Sequence, residues 1–341
     1  YTYTNRHDDY VNQEGYVPTT YTRIREQNLA GYAQYSHPLP FGQANIGLRY
    51  EHVDFDYFEN ATFVPGQSRV YDNIFPNISV NGQLGKVQFQ VSYAAKTQRP
   101  NYSQLRNNIT YANRFTWQTG NPLLKPSVTH DITAVGVWRF FQAMVSYKVV
   151  RDYILYWGTQ VENQSATTLI NYINHDRLPS LTVMLAASPT IGIWNLNASA
   201  IVMKQWFSLD AAGQRRTYNN PLFVGSLNNT FTLPAGFLLS ADFNYQSRGQ
   251  VQNITLKRPQ YTLNIGLRKS LFNDALSIEA RANDLLLGCK QEALLYMESA
   301  QMKDLSWSDT RSFSLTVRYK FNAAKSKYKG TGAGQDTINR M

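Results

Sequence analysis

The side chains best suited to chemistry are few and lie far apart in the chain. The candidate acid–base groups include the adjacent pairs His130-Asp131 and His175-Asp176, because histidine and aspartate serve in acid–base catalysis. Neighbours in a β-strand point to opposite faces, so neither pair forms a dyad by itself. The sequence contains no Gly-x-Ser-x-Gly elbow, no His-Glu-x-x-His motif and no Walker loop. We therefore predict no catalytic residue and no enzymatic activity.

Metal and cofactor sites are not expected either. The single cysteine, Cys289, excludes an intramolecular disulfide and a cysteine-based metal cluster. The pairs Asp8-Asp9 and Asp54/Asp56 could bind a divalent cation through oxygen atoms, but ordinary polar loops explain them better. A formal net charge of +10 suits an anionic lipid surface or an acidic ligand. The basic segment 325–329 fits lipid or solvent better than nucleic acid, so we predict no nucleic-acid partner.

One long segment, residues 98–126, combines the residue types that capture ligands. Aromatic rings supply stacking energy there, and guanidinium and amide groups supply oriented hydrogen bonds. The candidate ligand contacts are Tyr102, Arg106, Tyr111, Arg114, Phe115 and Trp117. The alternative is that these rings pack the loop against its neighbours and keep it folded. A weaker candidate of the same type is the segment 289–308, with Tyr296, Met297, Met302 and Trp307.

The elements that must position these loops are β-strands. Apolar and polar residues alternate with a period of two along most of the chain, and no helical stripe of comparable length is present. The alternation predicts about thirteen strands. They lie at residues 22–37, 43–58, 69–80, 84–97, 127–139, 142–157, 166–187, 193–207, 219–232, 236–248, 258–271, 275–288 and 309–321.

Short and long connections alternate between these predicted strands. Residues 38–42 and 272–274 are short connections, and Asn81-Gly82 is a dipeptide favoured in hairpin turns. The long polar connections are residues 59–68, 98–126, 158–165, 208–218, 249–257 and 289–308. A meander with long loops at one end and tight turns at the other is typical of an outer-membrane barrel. A soluble two-sheet sandwich, the alternative, has no reason to keep that order.

Composition supports a membrane barrel. Only 16% of the residues are charged, against about 25% in an average soluble domain. The mean hydropathy of −0.40 and the lack of a run of about 18 apolar residues exclude a helical membrane protein. Tyr50, Tyr93, Tyr245 and Tyr319 lie near strand ends, where aromatic residues form interfacial girdles. The predicted fold is an all-β, antiparallel, up-and-down transmembrane β-barrel.

Two motifs frame the loop 98–126. Residues Arg99, Pro100, Tyr102 and Leu105 fit an Arg-Pro-x-Tyr-x-x-Leu pattern. A Gly-Asn-Pro-x-Leu-x-Pro pattern is matched by Gly120, Asn121, Pro122, Leu124 and Pro126. Together with the segments 48–51 (LRYE), 283–286 (NDLL) and the tail 327–341, these motifs resemble the barrel of TonB-dependent outer-membrane receptors, from about residue 22 to the end.

The resemblance implies the C-terminal part of a receptor barrel. Barrels of that family have about 22 strands, so about nine strands and the plug domain would be absent from this chain. We therefore expect an open sheet. Residues 1–21 are predicted to be an external loop or an incomplete strand, residues 22–321 the transmembrane strands, and residues 322–341 a periplasmic tail. The segment 106–108 departs from the family's usual Asn-Pro-Phe-like turn.

The resemblance also implies a function in the cell outer membrane. The whole protein would be an energy-coupled receptor and transporter for an unidentified external ligand, with TonB as a partner through its plug and outer-membrane lipid around it. One alternative is a self-contained passive channel or adhesin. Another is an outer-membrane hydrolase that uses His130 or His175. A plug-like domain encoded upstream of Tyr1 would favour the receptor, and a signal peptide directly before Tyr1 would favour the small barrel.

Overall fold

The structure is a computed structural model that describes residues 1–11, 18–161, 164–272, 274–298 and 301–321, with the side chains of residues 164 and 165 left out. The predicted periplasmic tail, residues 322–341, lies outside the described residues. No helix within these ranges is long and apolar enough to cross a membrane.

Fourteen long strands form the wall in the described part of the chain, and each is antiparallel to the next. They are β1 (Thr2–Tyr10), β2 (Thr20–Leu39), β3 (Gly42–Glu59), β4 (Arg69–Leu84), β5 (Val87–Gln98), β6 (Ser127–Trp138), β7 (Phe141–Val161), β8 (Gln164–Ala187), β9 (Trp194–Gln205), β10 (Leu222–Leu233), β11 (Phe237–Gln246), β12 (Gln260–Leu271), β13 (Leu276–Asn283) and β14 (Ser312–Tyr319). This order confirms the predicted up-and-down meander.

Each of the thirteen predicted segments corresponds to one of these strands, and β1 is additional. It comes from the segment 1–21, predicted as an external loop or an incomplete strand, and it pairs along its whole length with residues 20–28 of β2. Polar residues occupy both faces of β1, because Asn5, Arg6, His7, Asp8 and Asp9 follow one another. The period-two signal is therefore weak there, which explains why the predicted count was low.

The sheet is not closed. Within the described residues, the first wall strand pairs only with β2, and the last pairs only with β13. The predicted open sheet is thus confirmed. Unpaired backbone groups in hydrocarbon cost several kcal/mol each, so both edges need pairing partners in a membrane.

The Asn81-Gly82 turn prediction was wrong. Strand β4 continues through this dipeptide, and the hairpin turn lies at Gly85 and Lys86, where Gly85 has φ +61°. Gly82 pairs with Gly42 across β3 and β4. A Cβ atom on Gly82 would lie 2.1 Å from the carbonyl oxygen of Phe41. Close backbone approach, rather than turn geometry, explains this glycine.

The outward face of the wall is apolar along its lower part. On β3 the side chains of Ile46, Leu48 and Tyr50 are exposed, whereas alternate residues from Glu51 to Tyr57 are buried on the inward face. The apolar band ends where the Tyr50 hydroxyl donates to Asp72 at 2.5 Å and His52 Nδ1 lies 2.9 Å from the same carboxylate. An exposed apolar band with polar groups at its upper edge is the surface that lipid requires.

Aromatic pairs follow the opposite edge of this band, beside the short turns. Trp138 stacks on Phe141 with ring centroids 6.0 Å apart, and Trp194 stacks on Phe231 at 6.2 Å. Their amphipathic or polarisable rings suit the boundary between hydrocarbon and headgroups. The girdle predicted from strand-end aromatics therefore has a counterpart at the short-turn end.

At the other end, the long connections fold into secondary structure of their own. They contain the helix α1 (Tyr102–Leu105) and the short strands Thr62–Phe63, Thr110–Asn113, Thr116–Gln118, Phe207–Ala211, Gln214–Tyr218, Gly249–Val251, Ile254–Leu256, Lys290–Tyr296 and Gln301–Trp307. The long β7–β8 hairpin stands among them. Its Leu155 and Trp157 pack against the hairpin 207–218, while Ile154 and Tyr172 pack on the loop 98–126. All these loops therefore gather at one end of the sheet.

Candidate binding surface in the external loops

The first motif of loop 98–126 builds the helix α1 and buries it. Asn101 caps the helix by accepting from the Gln104 backbone N–H at 2.8 Å, and the Gln104 side chain accepts from the Asn101 N–H at 3.0 Å. Such reciprocal capping satisfies two backbone donors at a helix start. Tyr102, only 1% exposed, and Leu105 then enter a core cluster. Its other buried members are Ile24, Phe55, Tyr57 and Leu124.

The second motif packs closely against the first and is hydrogen-bonded to it. A Cβ atom on Gly120 would lie 2.5 Å from the carbonyl oxygens of Gln104 and Arg106, so only glycine fits this close approach. The Asn121 backbone N–H donates to the Gln104 carbonyl at 2.6 Å, and its side-chain Nδ2 donates to the Tyr172 carbonyl of β8 at 2.9 Å. These contacts tie the loop to itself and to the wall. The motif glycine and asparagine therefore have structural roles.

A buried ion cluster joins the loop to the inner face of β2 and β3. The Arg99 guanidinium lies 2.5 Å from Glu51 and 3.6 Å from Glu26, and Arg49 Nε donates to Glu51 at 2.7 Å. Both carboxylates are buried, and Arg99 is mostly buried. Arg49 and Glu51 belong to the LRYE segment, so this cluster connects two of the sequence segments on which the family resemblance depends. Paired charges in a poorly solvated site hold the loop in one position.

The remaining part of loop 98–126 is a small hairpin that rises from this base. Its strands are Thr110–Asn113 and Thr116–Gln118, and the second pairs in parallel with residues 168–170 of β8. Tyr111 is 41% exposed and Phe115 is 49% exposed. The Arg114 guanidinium lies over the Phe115 ring, 4.4 Å from its centroid. The hairpin therefore presents aromatic rings and a cation on a fixed backbone.

The structure divides the six predicted ligand contacts into two groups. Tyr111, Arg114, Phe115 and Trp117 lie together on the hairpin, with Trp117 half-buried beside β8. Tyr102 lies in the core, below this surface, so packing explains its ring. Arg106 ends α1 and is half-buried, with its Nε enclosed and without a hydrogen-bond partner among the described residues. Four of the six residues thus lie at least partly exposed on one hairpin.

One contact of the site could not be anticipated from the loop sequence. Arg6 of β1 lies over the Tyr102 ring, with its guanidinium carbon 5.7 Å from the centroid, and also forms an ion pair with Asp8 at 2.8 Å. The strand signal of the segment 1–21 was weak, so the sequence offered no reason to bring Arg6 to this loop. Strand pairing between β1 and β2 places it there.

The candidate residues of the second loop, segment 289–308, also fall into a buried group and an exposed group. Met297 is buried in a cluster with Ile170 and Leu295, whereas Met302 and Trp307 are exposed on the hairpin formed by Lys290–Tyr296 and Gln301–Trp307. The guanidinium carbon of Arg216 lies over the Tyr296 ring, 3.6 Å from its centroid. In the adjacent hairpin 207–218, burial raises the pKa of Tyr218 to about 12, so its phenol remains neutral at physiological pH.

The side chains of His130 and Asp131 make their contacts on opposite faces of β6. The His130 ring lies 2.9 Å from the Tyr93 hydroxyl on the outward face, while Asp131 accepts from Thr133 and Ser146 on the other face. The His175 ring packs edge-on against Phe207 at 4.6 Å. Within the described residues, no three His, Cys, Asp or Glu side chains come together as metal ligands.

An open antiparallel meander with an outward apolar band, aromatic pairs at the short-turn end and folded loops at the other is the wall of a membrane β-barrel. The chain belongs to the outer membrane protein beta-barrel family, whose model matches residues 1–319. This membership places it in the outer membrane, as predicted. A comparison with curated protein sequences gives no match.

Solved structures with the same fold include three outer-membrane proteins. The copper transporter OprC has a TM-score of 0.59 at 11% identity, over 93% of this chain and 52% of its own. The ferric-catecholate import receptor Fiu from E. coli K12 has a TM-score of 0.57 at 12% identity, and the match covers 89% of this chain and 46% of that receptor. The FrpB iron transporter from Neisseria meningitidis has a TM-score of 0.54 at 14% identity, and the match covers 89% of this chain and 45% of that transporter. The chain thus spans about half the length of these proteins, and the predicted antiparallel β-barrel fold is confirmed.

Proposed function

We propose that this chain is the barrel portion of an energy-coupled outer-membrane receptor that imports an external ligand. The observation that carries the proposal is the position of loop 98–126. Its buried cluster joins Ile24 and Phe55 of β2 and β3 to Ile154 and Tyr172 of β7 and β8, strands that are not neighbours in the wall. The loop therefore bridges separate parts of the sheet, which gives its exposed hairpin a fixed base on which to bind a ligand.

The chemistry of the exposed hairpin agrees with this proposal. Tyr111, Arg114 and Phe115 combine stacking surface with a guanidinium donor, which suits a ligand that has both apolar and anionic parts. The proteins that share the fold include an iron transporter, a copper transporter and a ferric-catecholate import receptor. By the sequence resemblance, a plug domain would fill the barrel and connect it to TonB.

Ion conductance of the full-length protein distinguishes the receptor from a passive channel. In planar bilayers we expect no steady conductance from the whole protein, because a plug blocks the lumen. A variant that lacks the plug-like domain should open a large and persistent pore. Steady conductance of the intact protein, or a coding frame without a plug-like domain before Tyr1, would contradict the receptor and favour the passive channel.

The sidedness of the loops is part of the same proposal. We place the hairpin 110–118 outside the cell and the turn at Gly85 and Lys86 in the periplasm. In a cysteine-free background, Arg114→Cys should react with an impermeant maleimide on intact cells, since this position is exposed. Lys86→Cys, equally exposed, should react only after lysis. The reverse labelling pattern would overturn the assignment.

A further inference from the structure

Two arginines oppose each other on the outward face of the wall. Arg151 of β7 and Arg177 of β8 are direct cross-strand partners, and both are exposed. No ion pair between the described residues includes either one. Like charges placed directly opposite in a sheet destabilise it. The pair therefore needs an external anion to offset the repulsion.

The arginines lie at the upper edge of the apolar band. Below them on the same face of β7 and β8 are the exposed side chains of Val145, Tyr147 and Leu185. Strand β7 begins at Phe141 beside a short turn. At about 3.3 Å per residue and a tilt of about 40°, Arg151 lies roughly 25 Å above that turn, which is the height of the apolar band of an outer-membrane barrel. The guanidinium groups are thus at the level of lipid headgroups.

The neighbouring strand carries a third cation on this face, in the register row of Tyr147 and so below the two arginines. Lys204 of β9, which pairs with Leu181, lies on the same face and has its ammonium nitrogen 5.6 Å from the Trp206 ring centroid. At the same level on β3 and β4, the groups are instead Tyr50, His52 and Asp72. Among these strands, the cationic part of the upper boundary is therefore on β7 and β8, with Lys204 of β9 below it.

We propose that Arg151 and Arg177, assisted by Lys204, bind the phosphate of a phosphorylated lipid in the outer leaflet. Two guanidinium forks on adjacent strands can each donate a pair of hydrogen bonds to phosphate oxygens. The acyl chains of the same lipid lie along the apolar residues below. The site is separate from the external hairpin and from the lumen, because it faces the bilayer.

Lipid binding to the full-length protein in dodecyl maltoside micelles tests the proposal. Native mass spectrometry and thermal unfolding are measured with diphosphoryl lipid A, dephosphorylated lipid A or inorganic phosphate. The Arg151→Gln/Arg177→Gln variant should bind diphosphoryl lipid A roughly 30-fold more weakly than the parent protein. Without lipid its Tm should equal or exceed that of the parent protein, because the repulsion is gone. The control Arg139→Gln removes a cation beside Trp138 at the short-turn end and should change neither result.

Four results would overturn the proposal. Unchanged affinity of the double variant would show that the arginines do not contact the lipid. Equal binding of dephosphorylated lipid A would reduce the site to apolar contact. Full stabilisation by inorganic phosphate would identify a free-anion site instead of a lipid site. A lower Tm of the double variant without lipid would assign the arginines to an internal contact.

Discussion

Replacement of Arg99 by methionine is expected to destabilise the full-length protein by about 3–5 kcal/mol. The substitution keeps much of the apolar stem but removes the charge shared by Glu51 and Glu26, at 2.5 Å and 3.6 Å. Both carboxylates are buried and would remain without this partner. Arg49 still contacts Glu51, so part of the negative charge in the cluster stays paired. The free energy of unfolding, measured by urea titration in lipid vesicles, checks this expectation.

The ion pair between Arg215 and Asp210 provides a matched control. Its N–O distance of 3.0 Å is comparable, but both side chains are mostly exposed. Arg215→Met should therefore cost only about 0–1 kcal/mol. Addition of Glu26→Gln to the Arg99→Met variant should recover part of the lost stability, because it lowers the excess negative charge that the loss of Arg99 leaves in this buried site. Equal losses at Arg99 and Arg215 would show that the motif cluster does not hold the loop.

Truncation of Tyr102 to alanine should cost about 3–5 kcal/mol, the range observed for large aromatic side chains in cores. Its ring is enclosed by Ile24, Tyr57 and Leu124, and Arg6 lies over it. The cavity would separate α1 from β2 and β3. The same unfolding measurement applies, and loss of protection at the backbone amides of residues 110–118 should accompany it, since the hairpin stands on this base.

The substitution Phe115→Ala, compared with Tyr102→Ala, tests whether the Phe115 ring is exposed to a ligand or packed in the core. This ring is half exposed, and its principal described neighbour is the Arg114 guanidinium. We expect this substitution to change the free energy of unfolding by no more than about 0.5 kcal/mol. A loss at Phe115 as large as that at Tyr102 would mean that the hairpin is packed rather than presented. The proposed ligand surface would then be wrong.

The strands could be predicted because their signal is local. Alternation of side chains along a pleated backbone depends only on neighbours in sequence, so the segment predicted at 142–157 became β7 and the one at 193–207 became β9. Strand β1 was not among the predicted strands because its residues are polar on both faces. The Asn81-Gly82 prediction failed because the same dipeptide also suits a place where two backbones approach closely.

The site was only partly predictable, since its residues come from distant parts of the chain. The motifs located Arg99, Tyr102 and Gly120, but nothing in their sequence separates a ligand contact from a core contact. Tyr102 became part of the core once β2 and β3 supplied Ile24 and Phe55. The exposed ring of Phe115 resulted from the pairing of its hairpin with β8.

By itself the sequence determined that this protein is an outer-membrane barrel wall: period-two alternation, the order of short and long connections and the two motifs were sufficient. Only the tertiary structure decided how many strands the wall contains, that Arg99 neutralises two buried carboxylates, and that Arg151 faces Arg177. The physical reason is that strand faces are set by local geometry, whereas cross-strand and loop contacts depend on register between segments far apart in the chain. A pair of opposed arginines exists only after β7 and β8 have aligned.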